Sequence, residues 1–136
     1  MFTPIDVSTS ALIAERQRMN TIADNLANVN TTRNADGKTS AFQRRFVTFA
    51  AAHLEGAPAG TDGVAYEIRV DTATPPRRVY QPGHPDADKE GYVSFPNIDY
   101  MTEFVNAMDA SRAYQANLVA IDMTKQIDNL SLKILA

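Results

Sequence analysis

The chain has 136 residues, 44% of them apolar and 21% charged, and a formal net charge of −3. That length suits one domain with a real core, and the balance excludes wholesale disorder. It also excludes a phosphate-tracking surface, which needs a clear Lys/Arg excess, so nucleic acid is not an expected partner.

Cysteine is absent, which removes disulfides, thiolate nucleophiles and Cys-containing zinc sites. The opening residues, Met1-Phe-Thr-Pro-Ile-Asp6, carry neither a basic stretch nor an apolar run of signal-peptide length. No segment approaches the roughly 20 apolar residues of a membrane span. The expectation is a chain without a cleavable signal and without direct membrane insertion.

Residues 5–30 contain no Gly or Pro, residues 31–97 hold all six Gly and six of the seven Pro, and residues 98–136 again lack both. This texture predicts helix, strand-rich middle, helix. The fold class expected is mainly α with a small β-containing insert, the N- and C-terminal helices forming an antiparallel coiled-coil-like pair. Residues 1–30 and 98–136 would make one terminal helical domain, with 31–97 as a middle segment.

In the first helix Ile5, Leu12, Met19 and Leu26 lie seven apart. A second row, Ser8, Glu15, Ile22 and Val29, turns apolar only in its later half, so the seam is half-formed at its start. Asn20, Asn25, Asn28 and Asn30 concentrate amides along and after this helix. Amides suit buried contacts that want both a donor and an acceptor, although Asn28 and Asn30 are equally suited to ending the helix.

In the middle, Val64-Ala-Tyr-Glu-Ile-Arg-Val70 predicts a strand with Val64, Tyr66, Ile68 and Val70 on one face. Phe42 to Phe49 is a weaker candidate, and Arg78-Val-Tyr80 a third. A Gly-Ala-Pro-Ala-Gly stretch at 56–60 and Pro82-Gly-His-Pro85 mark turns between them.

The last helix should start near Asn97 or Asp99, either able to cap it, with Glu103 well placed in the first turns. Its later half carries a seam of Ala116, Ala120, Met123, Ile127, Leu130 and Ile134. Its earlier half carries another stripe, Phe104, Ala107, Ser111, Tyr114, Leu118 and Ile121. A helix packed only on its own chain's core needs one apolar face; two imply two sets of neighbours. Joining the helices closes a loop of about 70 residues at roughly 4 kcal/mol plus a constant. Seam side chains return about 1.5–3 kcal/mol each before entropy. That margin predicts helical ends that are mostly disordered in the free chain and order on assembly.

Candidate chemistry is sparse. Asp86, Asp88, Glu90 and Gly91 match positions 1, 3, 5 and 6 of a calcium loop, but Asn97, after Pro96, stands where the bidentate Glu belongs. An acidic turn is the better reading. His84 sits in a turn beside two aspartates, and a hydrogen-bonded turn histidine is its common role; His53 is the other histidine. No serine-triad arrangement, phosphate loop or HExxH motif is present. Neither a cofactor nor a catalytic or metal site is expected. Arg44-Arg45 and Arg77-Arg78 are read as solvated strand ends, or as partners for Asp86, Asp88 or Glu90 of a neighbour.

Several of these segments also carry a resemblance. Ser10-Ala-Leu-Ile-Ala-Glu-Arg-Gln-Arg-Met-Asn20 followed by Ala23-Asp-Asn-Leu-Ala-Asn-Val-Asn-Thr-Thr32 resembles the N-terminal motif of the flagellar axial (rod and hook) family. Val79-Tyr-Gln-Pro-Gly-His-Pro-Asp-Ala-Asp88, Gly91-Tyr-Val, Pro96-Asn-Ile-Asp99 and Ala110-Ser-Arg-Ala-Tyr-Gln-Ala-Asn117 resemble its proximal-rod members. The similarity covers nearly the whole chain and departs at Ala41-Phe42, where Pro-Tyr is common.

The resemblance implies a non-enzymatic structural subunit, exported without cleavage and built into the periplasm-spanning rod of the basal body. Its helices would line the tube around the export channel. Implied partners are copies of itself, other proximal-rod proteins, base-linking and distal-rod subunits, and the export apparatus. By this analogy Ile5, Leu12, Met19 and Leu26, with Ile22 and Val29, would pair inside the chain with Ala116, Ala120, Met123, Ile127, Leu130 and Ile134. Phe104, Tyr114, Leu118, Asn25, Asn28 and Arg112 would face neighbouring subunits. The rival readings are a distal-rod or hook subunit and, from another class, a small calcium-binding adaptor; a cell-wall enzyme would need a carboxylate pair or metal site that is not found.

Overall fold

The structure, a computed structural model, describes residues 4–53 and 62–135, without the side chains of Ile134 and Leu135. The Gly-Ala-Pro-Ala-Gly stretch, the opening Met1–Thr3 and the seam side chain Ile134 lie outside that description. The elements run α1 (Pro4–Ala27), β1 (Arg45–His53), β2 (Asp62–Val70), β3 (Arg77–Tyr80), β4 (Tyr92–Phe95) and α2 (Tyr100–Leu135). Two terminal helices thus flank a small antiparallel-strand insert, the architecture that the Gly/Pro distribution predicts.

Pro4 opens α1, where its fixed φ and missing N–H are tolerated. The helix ends at Ala27, and the chain turns through Asn28, whose N–H donates to the carbonyl oxygens of Asp24 and Asn25. Asp99 caps α2: its Oδ2 accepts from the Thr102 N–H at 3.0 Å and the Thr102 hydroxyl at 2.6 Å. The Thr102 hydroxyl, and then its backbone N–H, hold the Asp99 carboxyl below its usual range.

The described residues divide into two compact units. The first gathers the start of α1 through Met19, residues 47–67 and α2 from Ala107 onward. Here the Ser10 hydroxyl accepts from the Val64 N–H at 2.9 Å, docking the start of β2 on α1. Its most covered side chains on the helices are Ala14, Ala110 and Ile121.

The second unit gathers residues 20–46 and 68–106. Its core holds Ile22, Val29, Val93, Pro96 and Ile98. β3 and β4 pair antiparallel, Arg77 opposite Phe95 and Tyr80 opposite Tyr92. The sequence pattern offers no signal for β4, which is only four residues long. Gly91, at φ +85°, makes the approach to β4 possible, because a Cβ there would lie 2.9 Å from Cε2 of Tyr80 and 3.2 Å from Cβ of Pro82.

Candidate assembly surface

The long helix α2 carries the surface. Counted at 100° per residue, its covered positions Glu103, Ala110, Asn117 and Ile121 fall on one line. Met101, Val105, Met108, Val119, Met123 and Leu130 fall on the opposite line, and all are exposed. Met123 is 58% exposed, Ile127 62% and Leu130 59%. Interrupted by Arg112 and Gln126, this outward stripe is apolar over most of the helix. A helix that meets solvent on its outer face is normally polar there, and contiguous apolar surface of this kind marks an interaction site.

Within the single chain the two expected faces of α2 differ in exposure. Ala116, Ala120, Met123, Ile127 and Leu130, expected in the intramolecular seam, are all exposed. Of the stripe expected to face outward, Phe104 and Leu118 are exposed, but Ala107, Ser111 and Tyr114 are half-buried and Ile121 is buried. Both sets repeat at heptad steps, so periodicity alone does not tell the inner face from the outer one. On α1 the covered line runs through Ala14, Thr21, Ile22 and Asn25, continued past the helix end by Val29, with Ile5, Leu12, Met19 and Leu26 half-buried along its flank. The outer side of α1 is mostly polar, Ile13 apart.

At the start of α2, Tyr100, Met101 and Phe104 line an open apolar hollow together with Leu26 of α1. A second exposed apolar set lies on β2, where Tyr66, Ile68 and Val70 alternate along one face. Arg112 is exposed on α2.

Asn25, expected to meet neighbours, is instead wholly buried in its own chain. Its Oδ1 accepts from the Arg45 N–H at 2.9 Å, and its Nδ2 donates to the Arg45 carbonyl at 2.7 Å and to Glu103 Oε2 at 3.0 Å. A buried amide must satisfy its donors locally, and here a peptide and a carboxylate do so. Asn28, half-buried, donates to the Asp24 carbonyl at 2.8 Å and accepts from the Thr31 hydroxyl at 3.1 Å, which is the helix-ending role.

One arginine of each basic pair finds an acid within the chain. Arg44 donates to Glu103 Oε1 from Nε at 2.8 Å and Nη2 at 2.6 Å. Arg78 lies 2.5 Å from Asp88 and stands over the Tyr92 ring at 4.9 Å. Asp86 accepts from Arg33 Nε at 2.6 Å and from the Thr32 hydroxyl at 2.7 Å. These bonds, Arg33 first, hold the Asp86 carboxyl below its usual range. Asp88 is lowered chiefly by the Tyr92 N–H, with Glu90 N–H and Arg78 adding to it.

The turn that resembles part of a calcium loop is therefore an internally bonded acidic turn. His84 belongs to it: its Nδ1 accepts from the Asp86 N–H at 3.1 Å, and its ring meets Phe95 edge-on. Among the described residues no group of three His, Asp or Glu side chains is placed to hold a metal ion, and no helix is long and apolar enough to cross a membrane. Thr32 and Arg33 lie more than 50 residues from Asp86 in the chain, so no local pattern marks them as its partners. Only the proximity of a basic residue to the Asn/Thr-rich helix end hinted at them.

Residues 5–33 match the family model of the flagella basal body rod protein. Residues 89–134 match that of the flagellar basal body rod FlgEFG protein C-terminal region. The class is that of structural subunits of the flagellar basal-body rod. The chain is 40% identical over 123 residues to the flagellar basal-body rod protein FlgC of Escherichia coli O6:H1, covering 90% of this chain and 88% of that one. It is 33% identical over 136 residues to FlgC of Bacillus subtilis, covering 91% of each. With FlgC of Borreliella burgdorferi it shares 35% over 150 residues, covering 99% of this chain and 97% of that one. The chain belongs to the FlgC family of flagellar basal-body rod proteins.

Proposed function

We propose that the chain is a non-enzymatic subunit of the proximal rod, which assembles by burying the outward stripe of α2 against neighbouring subunits. The observation that carries this reading is the run of exposed Met101, Val105, Met108, Val119, Met123 and Leu130 opposite the covered line through Glu103, Ala110 and Ile121. Left in water, such a stripe forfeits about 25 cal/mol per Å² of apolar surface that a neighbour would cover.

In this reading Ala116, Ala120, Ile127 and Leu130 meet other subunits, joined by Phe104 and Leu118. The neighbours are copies of this chain and other proximal-rod, base-linking and distal-rod subunits. The terminal helical domain, residues 1–30 and 98–136, forms the inner tube around the export channel, and 31–97 lies outside it. The subunit reaches this periplasm-spanning position through the flagellar export apparatus, uncleaved. Family membership supports that setting, and the internally satisfied acidic turn removes the reason to prefer a calcium-binding adaptor.

The cysteine-free sequence gives a clean experiment. A single Met123→Cys should form crosslinks between subunits in purified basal bodies, whereas Ala110→Cys, on the covered line, should not. Crosslinking from position 110 but not from 123 would reverse the assignment. From about Met123 onward, where α2 side chains lack cover, the helix should order on assembly. Circular dichroism of dilute chain should then show less helix than assembled material.

A further inference from the structure

Arg44 and Arg45, where the chain enters β1, are held from three elements at once. Asn25, near the end of α1, grips the Arg45 peptide by both its N–H and its carbonyl. Glu103, in the first turn of α2, takes two hydrogen bonds from the Arg44 guanidinium and one from Asn25. The Asp71 N–H, just beyond β2, donates to the Arg44 carbonyl at 2.8 Å. Asn25 and Glu103 are both 0% exposed.

Every partner in this node is specific to one register. Sliding β1 by one residue would turn the Arg44 side chain to the other face of the ribbon. Glu103 would then be a buried carboxylate without its cation, and the Asn25 amide would lose its peptide partner. Both are strongly disfavoured, because burial removes the water that would otherwise satisfy them. A two-stranded ribbon is marginal by itself, so its register must be fixed from outside. Buried polar groups are best attested in that role.

We propose that the Asn25–Glu103–Arg44–Arg45 node is a register lock, through which docking of the start of α2 on the end of α1 and alignment of the β1–β2 ribbon become one cooperative step. Glu103 lies 59 residues beyond Arg44 in the chain. The ribbon therefore takes its final register together with the arrival of the C-terminal helix. The node shares no residue with the outward stripe of α2, so it stands or falls independently of the assembly reading.

Amide hydrogen exchange on the unassembled 136-residue chain, read by NMR, tests the lock. Three reporters suffice: the amides of Arg45, bonded to Asn25, Asp71, bonded to Arg44, and Glu103, bonded to Asp99. They should open together with one denaturant slope. Asn25→Ala should accelerate all three by the same factor, roughly ten- to a hundredfold. In a paired Arg44→Met/Glu103→Met chain, which replaces the ion pair by apolar side chains, the Arg45 and Asp71 amides should open independently of the Glu103 amide. Acceleration confined to Arg45 in Asn25→Ala would overturn the proposal. If that variant does not fold, three different slopes in the unaltered chain would overturn it, as would the absence of protection at all three amides.

Discussion

Arg33 and Asp86 are joined by a short ion pair, Nη2 to Oδ1 at 2.5 Å, that ties the loop after α1 to the turn between β3 and β4. Asp86 is buried while Arg33 is half-exposed. Arg33 and Thr32 together hold the Asp86 carboxyl below its unfolded range. A depressed carboxylate contributes stability that is present above the unfolded value, about 3.9, and is lost as pH falls through the folded one. Asp71, Asp88 and Asp99 are shifted the same way. The thermal midpoint of the soluble chain should hardly change between about pH 7 and 5 on their account and should fall below about pH 4. In Asp86→Asn the acid-side loss should be smaller and the midpoint at pH 7 lower. An unchanged midpoint at pH 7 would mean the pair is only a surface contact.

Glu15 should behave in the opposite sense. Burial pushes its carboxyl up, against the weaker pull of Arg18 at 3.7 Å, and its buried Oε2 has no hydrogen-bond partner among the described residues. A raised carboxyl costs stability at neutral pH, and the cost is relieved as pH falls through the folded value. Glu15→Gln should therefore stabilise the soluble chain at pH 7, by about 1 kcal/mol or less since the Arg18 pair is worth little. The gain should shrink toward pH 4. A lower midpoint in the Gln variant would show that Arg18 matters more than desolvation.

Gly91 should tolerate no side chain. Its φ of +85° and the 2.9 Å gap to Tyr80 penalise a Cβ twice. Gly91→Ala should cost roughly 1–3 kcal/mol. The loss should show first as faster exchange of the Gln81 and Asp88 amides, which donate to the Gly91 and Tyr92 carbonyls. Gly37, also at positive φ but with open space around its Cβ position, should suffer only the conformational part when changed to Ala. Equal losses at the two glycines would remove the Tyr80 contact from the account.

The helices and three of the four strands were legible because Gly and Pro punctuate the chain and apolar residues repeat at helical or strand spacing. Asp99 was legible as a cap for the same local reason. What a single sequence does not reveal is which side of a helix is covered. On α2 two apolar lines lie opposite each other, and heptad spacing fits both. Glu103 illustrates the same gap. In sequence it is a favourable first-turn charge, whereas in the fold it is buried and paired with an arginine from the middle segment. That pairing depends on long-range contact, as do the Asp86–Arg33 bond and the register of β4, whose only local trace is Gly91.

In the proposed rod the outward side of α2, Ile127 included, is covered only by other subunits, which Ile127→Asp puts to the test. Ile127 is 62% exposed in the chain by itself, so the substitution should change the stability of the soluble subunit by no more than about 0.5 kcal/mol. In cells carrying only this variant, the subunit should still be made and exported, yet rods should fail to form and the cells should not swim. Motile cells with normal basal bodies containing Ile127→Asp would contradict the account.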